Sequence, residues 1–318
     1  MEPHRERKVV GRFAPSPTGR LHLGNARTAF LAWLQARAAK GSFLLRVEDL
    51  DRARCRAAYL DDLFRDLEYL GLTWDEEPVF QSRRSEAYRG AVARLQQLGR
   101  TYECFCSRSE IARTASAPHD AADEGPRYPG TCAKLGEAAA AARRGQRPPA
   151  VRIRPFAGVT HFTDRFCGAY EQDVEAAVGD FVVQRNDGVA SYQLAVVVDD
   201  ADSGITEVLR GDDLLASTPR QLQLYRALSL KAPDFAHVPL LIEPGGSRLA
   251  KREGVFAIAE LREAKVPPER VIGLLASWSG LGSEDGPAAE WVERFSLDRV
   301  ARSPVRVDEA MVRQRLWS

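Results

Sequence analysis

Residues 11–51, GRFAPSPTGRLHLGNARTAFLAWLQARAAKGSFLLRVEDLD, restrict what this chain can fold into more than any other stretch. Residues 8–13 are short and partly β-branched, and read as a strand. Pro15, Pro17 and Gly19 then interrupt regular structure. From Ala26 onward Ala29, Phe30, Trp33 and Leu34 recur at helical spacing, and residues 43–47 return as a strand. The result is a βαβ unit with its irregular loop at the carboxyl end of the first strand, the edge where open parallel sheets hold ligands. That loop suits an anion. Gly19 and Gly24 permit close backbone approach, the amides opening the helix near Asn25 point toward negative charge, and His22 is placed to reach a phosphate.

The rest of the chain sets bounds. With 318 residues it is long enough for two or three domains. No apolar run approaches the ~20 residues of a membrane span, and MEPHRERKVV lacks the apolar centre of a signal peptide. Five cysteines, two at Cys-x-Cys spacing, argue against a secreted disulfide framework and for a reducing cytoplasm. The expectation is a cytoplasmic monomer without a membrane partner. A net charge of +1 decides nothing about nucleic acid, which needs only a local basic surface.

PSPTGRLHLGNART resembles the first signature of class I aminoacyl-tRNA synthetases, in the form used by their glutamyl and glutaminyl branch. His22, Leu23, Gly24 and Asn25 occupy its four positions, with Asn25 where the signature commonly ends in His. RVEDLD is similar to the segment whose glutamate contacts the substrate amino group, which makes Glu48 the choice among the acids after residue 47; Asp51 otherwise reads as an N-cap. GLTWDE, at residues 71–76, also follows the family. The run SYQLAVVVDD, residues 191–200, resembles a family block in which Tyr192 lines the amino-acid pocket. RGDDLLASTPRQ supplies Arg210, an arginine suited to fork onto a side-chain carboxylate. The resemblance implies that Arg12, Phe13, Ala14, Pro15, Ser16, Glu48, Tyr192 and Arg210 hold glutamate. His22, Gly24, Asn25 and Lys251 would bind ATP with its Mg²⁺, His22 and Lys251 being catalytic. GSRLAKR fits the second signature imperfectly: Arg248 replaces its first lysine and Ala250 its serine, while Lys251 is retained.

A cysteine pattern interrupts this framework. Cys104 and Cys106 precede a polar, alanine-rich tract, and RYPGTC ends on Cys132. On chemistry alone these three make a zinc knuckle with His119 first, and Tyr128 second, as fourth ligand. The alternative is three buried free thiols, which is how Cys55 and Cys167 read. The pattern is also similar to the zinc insertion of glutamyl-Q tRNA(Asp) synthetases, short relatives of glutamyl-tRNA synthetase whose fourth ligand is the tyrosine. The resemblance therefore implies Tyr128 and one structural Zn²⁺.

Helices are expected with Leu60, Leu63, Phe64, Leu67 and Leu70 on one apolar face and with Tyr88, Val92, Leu95 and Leu98 on another, stopping at Gly71 and Gly99. An alanine-arginine helix should end near Gly145. Strands are expected at 151–156, 159–164 and 179–185, the last turning at Asn186-Asp187-Gly188 into a buried parallel strand that ends at Asp200. Thr218 reads as an N-cap with Pro219 the first helical residue. The remainder, with Val271, Leu274, Leu275 and Trp278 on one face and residues 297–316 in the same style, reads as helical throughout. The expected fold is α/β: residues 1–102 and 191–245 as two halves of a Rossmann-like synthetase domain, 103–190 as a zinc-containing α+β insertion, 246–318 as the second-signature loop and a helical carboxyl region. The residues after Arg252 leave no room for an anticodon-binding domain. The resemblance, taken with that shortness and the tyrosine-containing pattern, implies transfer of activated glutamate to the queuosine base of tRNA(Asp). Charging of tRNA(Glu), or RNA binding without catalysis, are the competing expectations.

Overall fold

The computed structural model describes residues 8–107, 109–111, 127–246 and 257–317. Parallel strands form its centre. β1 (Val10–Phe13) pairs with β2 (Ser42–Val47), which pairs with β3 (Val79–Phe80). Beyond β1, β9 (Glu207–Gly211) pairs with β10 (Asp234–Val238). The halves join where the Thr206 amide donates to Val10 O at 2.9 Å and the Val10 amide donates to Thr206 Oγ1 at 2.8 Å. The order β3-β2-β1-β9-β10 is that of a doubly wound nucleotide fold, with its switch point between β1 and β9.

Helix α1 (Leu23–Ala38) is buried almost all round, because the sheet covers one side and carboxyl-terminal helices the other. Its close approach explains Gly11, where a Cβ would lie 3.2 Å from Ala36 Cβ. α2 (Ala57–Tyr69) and α3 (Ser85–Gln97) end as expected before glycines with positive φ, Gly71 and Gly99. Leu98, expected on the packed face, is 53% exposed, since α3 has already ended. Asp51 is not the N-cap of α2, which starts six residues later after Arg56.

The insertion is a separate antiparallel sheet of β4 (Thr101–Cys104), β5 (Ala150–Ile153) and β8 (Phe181–Gln184), with a hairpin of β6 (Val159–Asp164) and β7 (Gly168–Asp173). α4 (Glu137–Arg144) ends at Gly145 as expected. The β6–β7 hairpin was not legible in the sequence, because β7 carries none of the branched residues that signal a strand. Cys167, at its turn, is exposed and Cys55 half-buried, so neither is the buried thiol expected.

The largest correction concerns residues 191–200. They form helix α5 (Tyr192–Asp202), not a strand, and the turn at Gly188 returns only as a single bridge between Gln184 and Ala190. Ser191 caps α5 by accepting from the Leu194 amide at 3.3 Å. The place beside β1 goes to β9 instead. A run buried on every side carries no period, so helix and strand look alike. Thr218 is likewise the first residue of α6 (Thr218–Leu228) and not its cap.

The carboxyl region is less uniformly helical than expected. α7 (Ile258–Glu263), α8 (Pro268–Trp278) and α9 (Glu309–Trp317) are separated by 3-10 turns and by β12 (Val305–Arg306). That strand pairs in parallel with β11 (Leu241–Ile242). Val271, Leu275, Trp291, Val312 and Leu316 share one core with α1. Among the described residues no helix is long and apolar enough to cross a membrane.

Candidate active site

β1 and β2 deliver Arg12, Arg46 and Glu48 to the carboxyl edge of the sheet, and the last turns of α5 bring Asp199 and Asp200 against them. Arg12 Nε lies 3.3 Å from Asp200 Oδ1, Arg46 contacts the same oxygen, and Arg46 Nη2 reaches Glu48 Oε1 at 3.1 Å. Burial alone would raise the Asp200 carboxyl, but Arg46 and Arg12 outweigh it and hold the group below the usual range. For Glu48 burial wins over Arg46 and Arg12, and its pKa is raised. Asp199 Oδ2 lies 3.8 Å from Arg46 Nε, and its carboxylate is also bound by Gln81, Arg84 and Tyr88. Because Asp199 and Asp200 belong to a helix, they are buried groups that fix arginines, not strand-end acids open to solvent.

The proline loop is tied down beside them: the Glu48 amide donates to Pro15 O at 2.9 Å and the Arg56 amide to Pro17 O at 3.3 Å. Phe13 is buried, Ala14 and Pro15 are half-buried, and Ser16 is exposed. Tyr192 opens α5 with its ring 37% exposed. Burial raises its phenol; the Glu48 charge adds to this, and Arg210, Arg12 and Arg46 oppose it. Five groups far apart in sequence thus share one field.

Arg210, on β9, is 4% exposed. Its Nε donates to His237 Nε2 at 2.9 Å, and its Nη2 to Thr218 Oγ1 and Gln221 Oε1, each at 2.9 Å. Its Nη1 has no hydrogen-bond partner among the described residues. His237 in turn faces Asp164, with Nδ1 2.6 Å from Oδ2. Neither Asp164 nor His237 was singled out from the sequence. They lie 73 positions apart, Asp164 in a segment that reads as an ordinary strand and His237 in one given no element from the sequence.

His22 is the N-cap of α1. Its Nδ1 accepts from the Gly24 amide at 3.1 Å and the Asn25 amide at 3.3 Å. The helix-start amides expected to face an anion are therefore taken by the imidazole, which leaves Nε2 as the nitrogen that can carry a proton outward. Ala257 forms a β-bridge with His22, and the Ile258 amide donates to Leu21 O at 2.8 Å. The first-signature loop is thereby joined to the residue six places after Lys251. Lys251 itself, with Arg248 and Ala250, lies outside the described residues.

A cavity of about 620 Å³ runs beside the acid loop, lined in part by Leu50, Asp51, Arg52, Gln81, Arg89 and Arg185. In the insertion, the sulfurs of Cys104, Cys106 and Cys132 all lie within 4.8 Å of one another. Tyr128 Oη is 3.4 Å from Cys104 Sγ and 3.7 Å from Cys106 Sγ, and accepts from the Cys132 amide at 2.9 Å. The Phe105 amide points to Cys132 Sγ at 3.5 Å and Arg152 Nε to Cys104 Sγ at 3.2 Å. Gly179 makes room for this loop: at φ +74 it places no Cβ where Tyr128 O would lie 2.6 Å away. Three sulfurs and an oxygen within bonding reach of one centre fit a tetrahedral zinc site. His119 lies outside the described residues.

Residues 8–299 match the family model described as tRNA synthetases class I (E and Q), catalytic domain. The chain belongs to this family. Its relatives include a Glutamyl-Q tRNA(Asp) synthetase of Symbiobacterium thermophilum, 51% identical over 310 residues that span 94% of this chain and 96% of that protein. A glutamate–tRNA ligase of Oleidesulfovibrio alaskensis is 41% identical, over 95% of this chain but 64% of the ligase. A solved glutamate tRNA ligase from Elizabethkingia meningosepticum, in complex with its amino acid, gives a TM-score of 0.81 at 27% identity. That likeness covers 97% of this chain and 69% of the solved one. As a class I synthetase of the E and Q type, the chain has the Rossmann-like catalytic fold, and the matched span includes every site residue named above.

Proposed function

We propose that the protein activates L-glutamate with ATP, in the absence of tRNA, and transfers the glutamyl group to the queuosine base in the anticodon loop of tRNA(Asp). The observation that carries the glutamate assignment is Arg210, a buried guanidinium with one nitrogen unpartnered among the described residues. Removing such a cation from water is costly unless an anion meets it, and a substrate side-chain carboxylate accepting from Nη1 would do so. Glu48, Arg12 and Tyr192 surround the same space, with Phe13, Ala14, Pro15 and Ser16 as its backbone wall. For the acceptor, the support is likeness: two relatives named Glutamyl-Q tRNA(Asp) synthetase are 51% and 48% identical, against 41% for the glutamate–tRNA ligase.

In the first step a carboxylate oxygen of glutamate attacks the α-phosphorus of ATP. A P–O bond forms as the bridging bond to the β-phosphate breaks, and the electron pair leaves with pyrophosphate. Positioning and neutralisation of phosphate charge supply most of the acceleration. The His22 Nε2 proton and Lys251 meet that charge, and Gly24 and Asn25 let the nucleotide approach the start of α1. Mg²⁺ accompanies ATP and shares the triphosphate charge. In the second step a hydroxyl of the acceptor nucleoside attacks the mixed anhydride and AMP departs. The 620 Å³ cavity, beside the Glu48–Asp51 loop and edged by Arg52, Arg89 and Arg185, has the size for a nucleoside and the charge for its phosphates. We assign Cys104, Cys106, Tyr128 and Cys132 to one structural zinc that holds the insertion together.

Enzyme incubated with ATP and labelled glutamate should label queuosine-bearing tRNA(Asp) and leave tRNA(Glu) unlabelled. Label on tRNA(Glu) alone overturns the acceptor assignment. Absence of glutamate-dependent pyrophosphate exchange in the wild type overturns the enzyme.

A further inference from the structure

We propose that Asp164 and His237 are positioning residues that set the guanidinium of Arg210 before the amino acid arrives, so that the insertion reaches into amino-acid recognition. This rests on the glutamate pocket above. The chain of contacts is continuous. Asp164 ends strand β6 of the insertion hairpin. Its Oδ1 accepts from the amides of Phe166, Cys167 and His237 at 2.9, 2.8 and 3.1 Å, which locks the carboxylate in place. Its Oδ2 is left for His237 Nδ1 at 2.6 Å.

An imidazole between an acid and a guanidinium has one tolerable arrangement. Arg210 Nε–H is a donor and can only meet a lone pair, so His237 Nε2 must be unprotonated. The proton then sits on Nδ1, where Asp164 accepts it. His237 is fully buried, and burial drops its pKa to about 4, which keeps the ring neutral. The Phe235 ring stacks near the imidazole at 6.2 Å and lies under the guanidinium at 5.3 Å, fixing both planes. With Nε held by His237 and Nη2 by Thr218 and Gln221, the guanidinium cannot rotate. Nη1 is what remains to be offered.

Asp164→Asn is the discriminating change. Asn Oδ1 can still accept the backbone amides, so the loop is retained, but its Nδ2 presents protons to His237 Nδ1. The ring then adopts the other tautomer and turns an N–H toward Arg210 Nε–H, two donors face to face. An Asp→Asn exchange beside a catalytic histidine acts by the same logic. His237→Gln alone keeps both contacts, its Oε1 accepting from Arg210 Nε and its Nε2 donating to Asp164, whereas combined with Asp164→Asn its amide N–H end must face a second donor on one side or the other.

The readout is glutamate-dependent pyrophosphate exchange, with melting temperature recorded for each variant. Asp164→Asn should raise the KM for glutamate at least about thirtyfold, the scale of one charged hydrogen bond, with the KM for ATP within about twofold. His237→Gln alone should stay within about fivefold of wild type, and the double variant Asp164→Asn/His237→Gln should be as impaired as Asp164→Asn, whereas a merely structural role would penalise the less isosteric exchange more. Equal effects on both substrates, or a His237→Gln variant as impaired as Asp164→Asn, overturn the proposal. Nitrogen-15 NMR of the histidine rings stands apart from the substrate assignment and from the folding of any variant. His237 in the wild type should be the Nδ1–H tautomer, and finding Nε2–H overturns the proposal even if glutamate proves to be the right substrate. A wild type that shows this tautomer yet exchanges no glutamate overturns the pocket's assignment and leaves the orientation of Arg210 standing.

Discussion

His22 performs two tasks with one ring, and they can be separated. Nδ1 caps α1, while the Nε2 side is assigned to phosphate. Asparagine can cap in the same way, but its amide nitrogen sits on the carbon that bears the capping oxygen, and its protons do not reach the place of Nε2. His22→Asn should therefore keep the melting temperature and lower the exchange rate about a hundredfold or more. His22→Ala should lose the same rate and about 1 kcal/mol of stability besides. Calorimetry and exchange kinetics on the pair check this; equal stability losses would remove the cap from the account. Two buried groups also give stability opposite pH dependences. His237 falls from 6.5 to about 4 on folding, so its contribution is complete above pH 6.5 and is lost as pH falls toward 4. Asp66 rises from 3.8 to about 6, chiefly through burial, so its contribution is complete below 3.8 and is lost as pH rises through 6. Urea unfolding between pH 7.5 and 4.5 should show wild type losing stability relative to His237→Gln as pH falls, and gaining relative to Asp66→Asn.

Among the elements, what could be read in the sequence followed the punctuation. Pro15 and Pro17 separate β1 from α1, and Gly71 and Gly99 end two helices at positive φ, each a backbone task that few other residues can perform. Helix α5 was hidden, since Leu194–Asp200 is buried on every side and a fully buried run has no amphipathic signature. Asp164 and His237 were hidden for another reason: their chemistry exists only once two distant strands meet. The zinc pattern lay between these extremes. The three cysteines are visible as spacing, whereas Tyr128 came from resemblance, and the structure brings all four atoms together. Cys104→Ser should lose about one zinc per chain and lower the melting temperature; unchanged metal content would sink the site. Burial pushes the Cys106 thiol up to about 11, so metal capture must displace protons. Chelators should accordingly strip zinc faster as pH falls.

At the scale of the whole molecule, the carboxyl region belongs to the catalytic core. Val312 and Leu316 on α9 are essentially inaccessible, and β12 completes a pair with β11. Ending the chain after Ser303 should therefore cost several kcal/mol, at roughly 1.5–3 kcal/mol for each large apolar side chain uncovered. A truncated protein as stable as the full chain would refute this. Arg27 makes the same connection through polar groups. Buried on α1, it donates to Ser279 Oγ at 3.1 Å on one side and to Pro239 O at 2.6 Å on the other.

The bridge between His22 and Ala257 bears on how the protein is made. It closes a circuit of more than two hundred residues, and the joint between Val10 and Thr206 closes one of 196. Contacts so distant in sequence form late, because the entropy of closing long loops comes before any gain from them. During synthesis, the first signature emerges from the ribosome early and must wait for nearly the whole chain before its histidine is framed. A nascent fragment shorter than this circuit lacks the partner that frames His22, so adenylate formation is expected only once nearly the whole chain has been made.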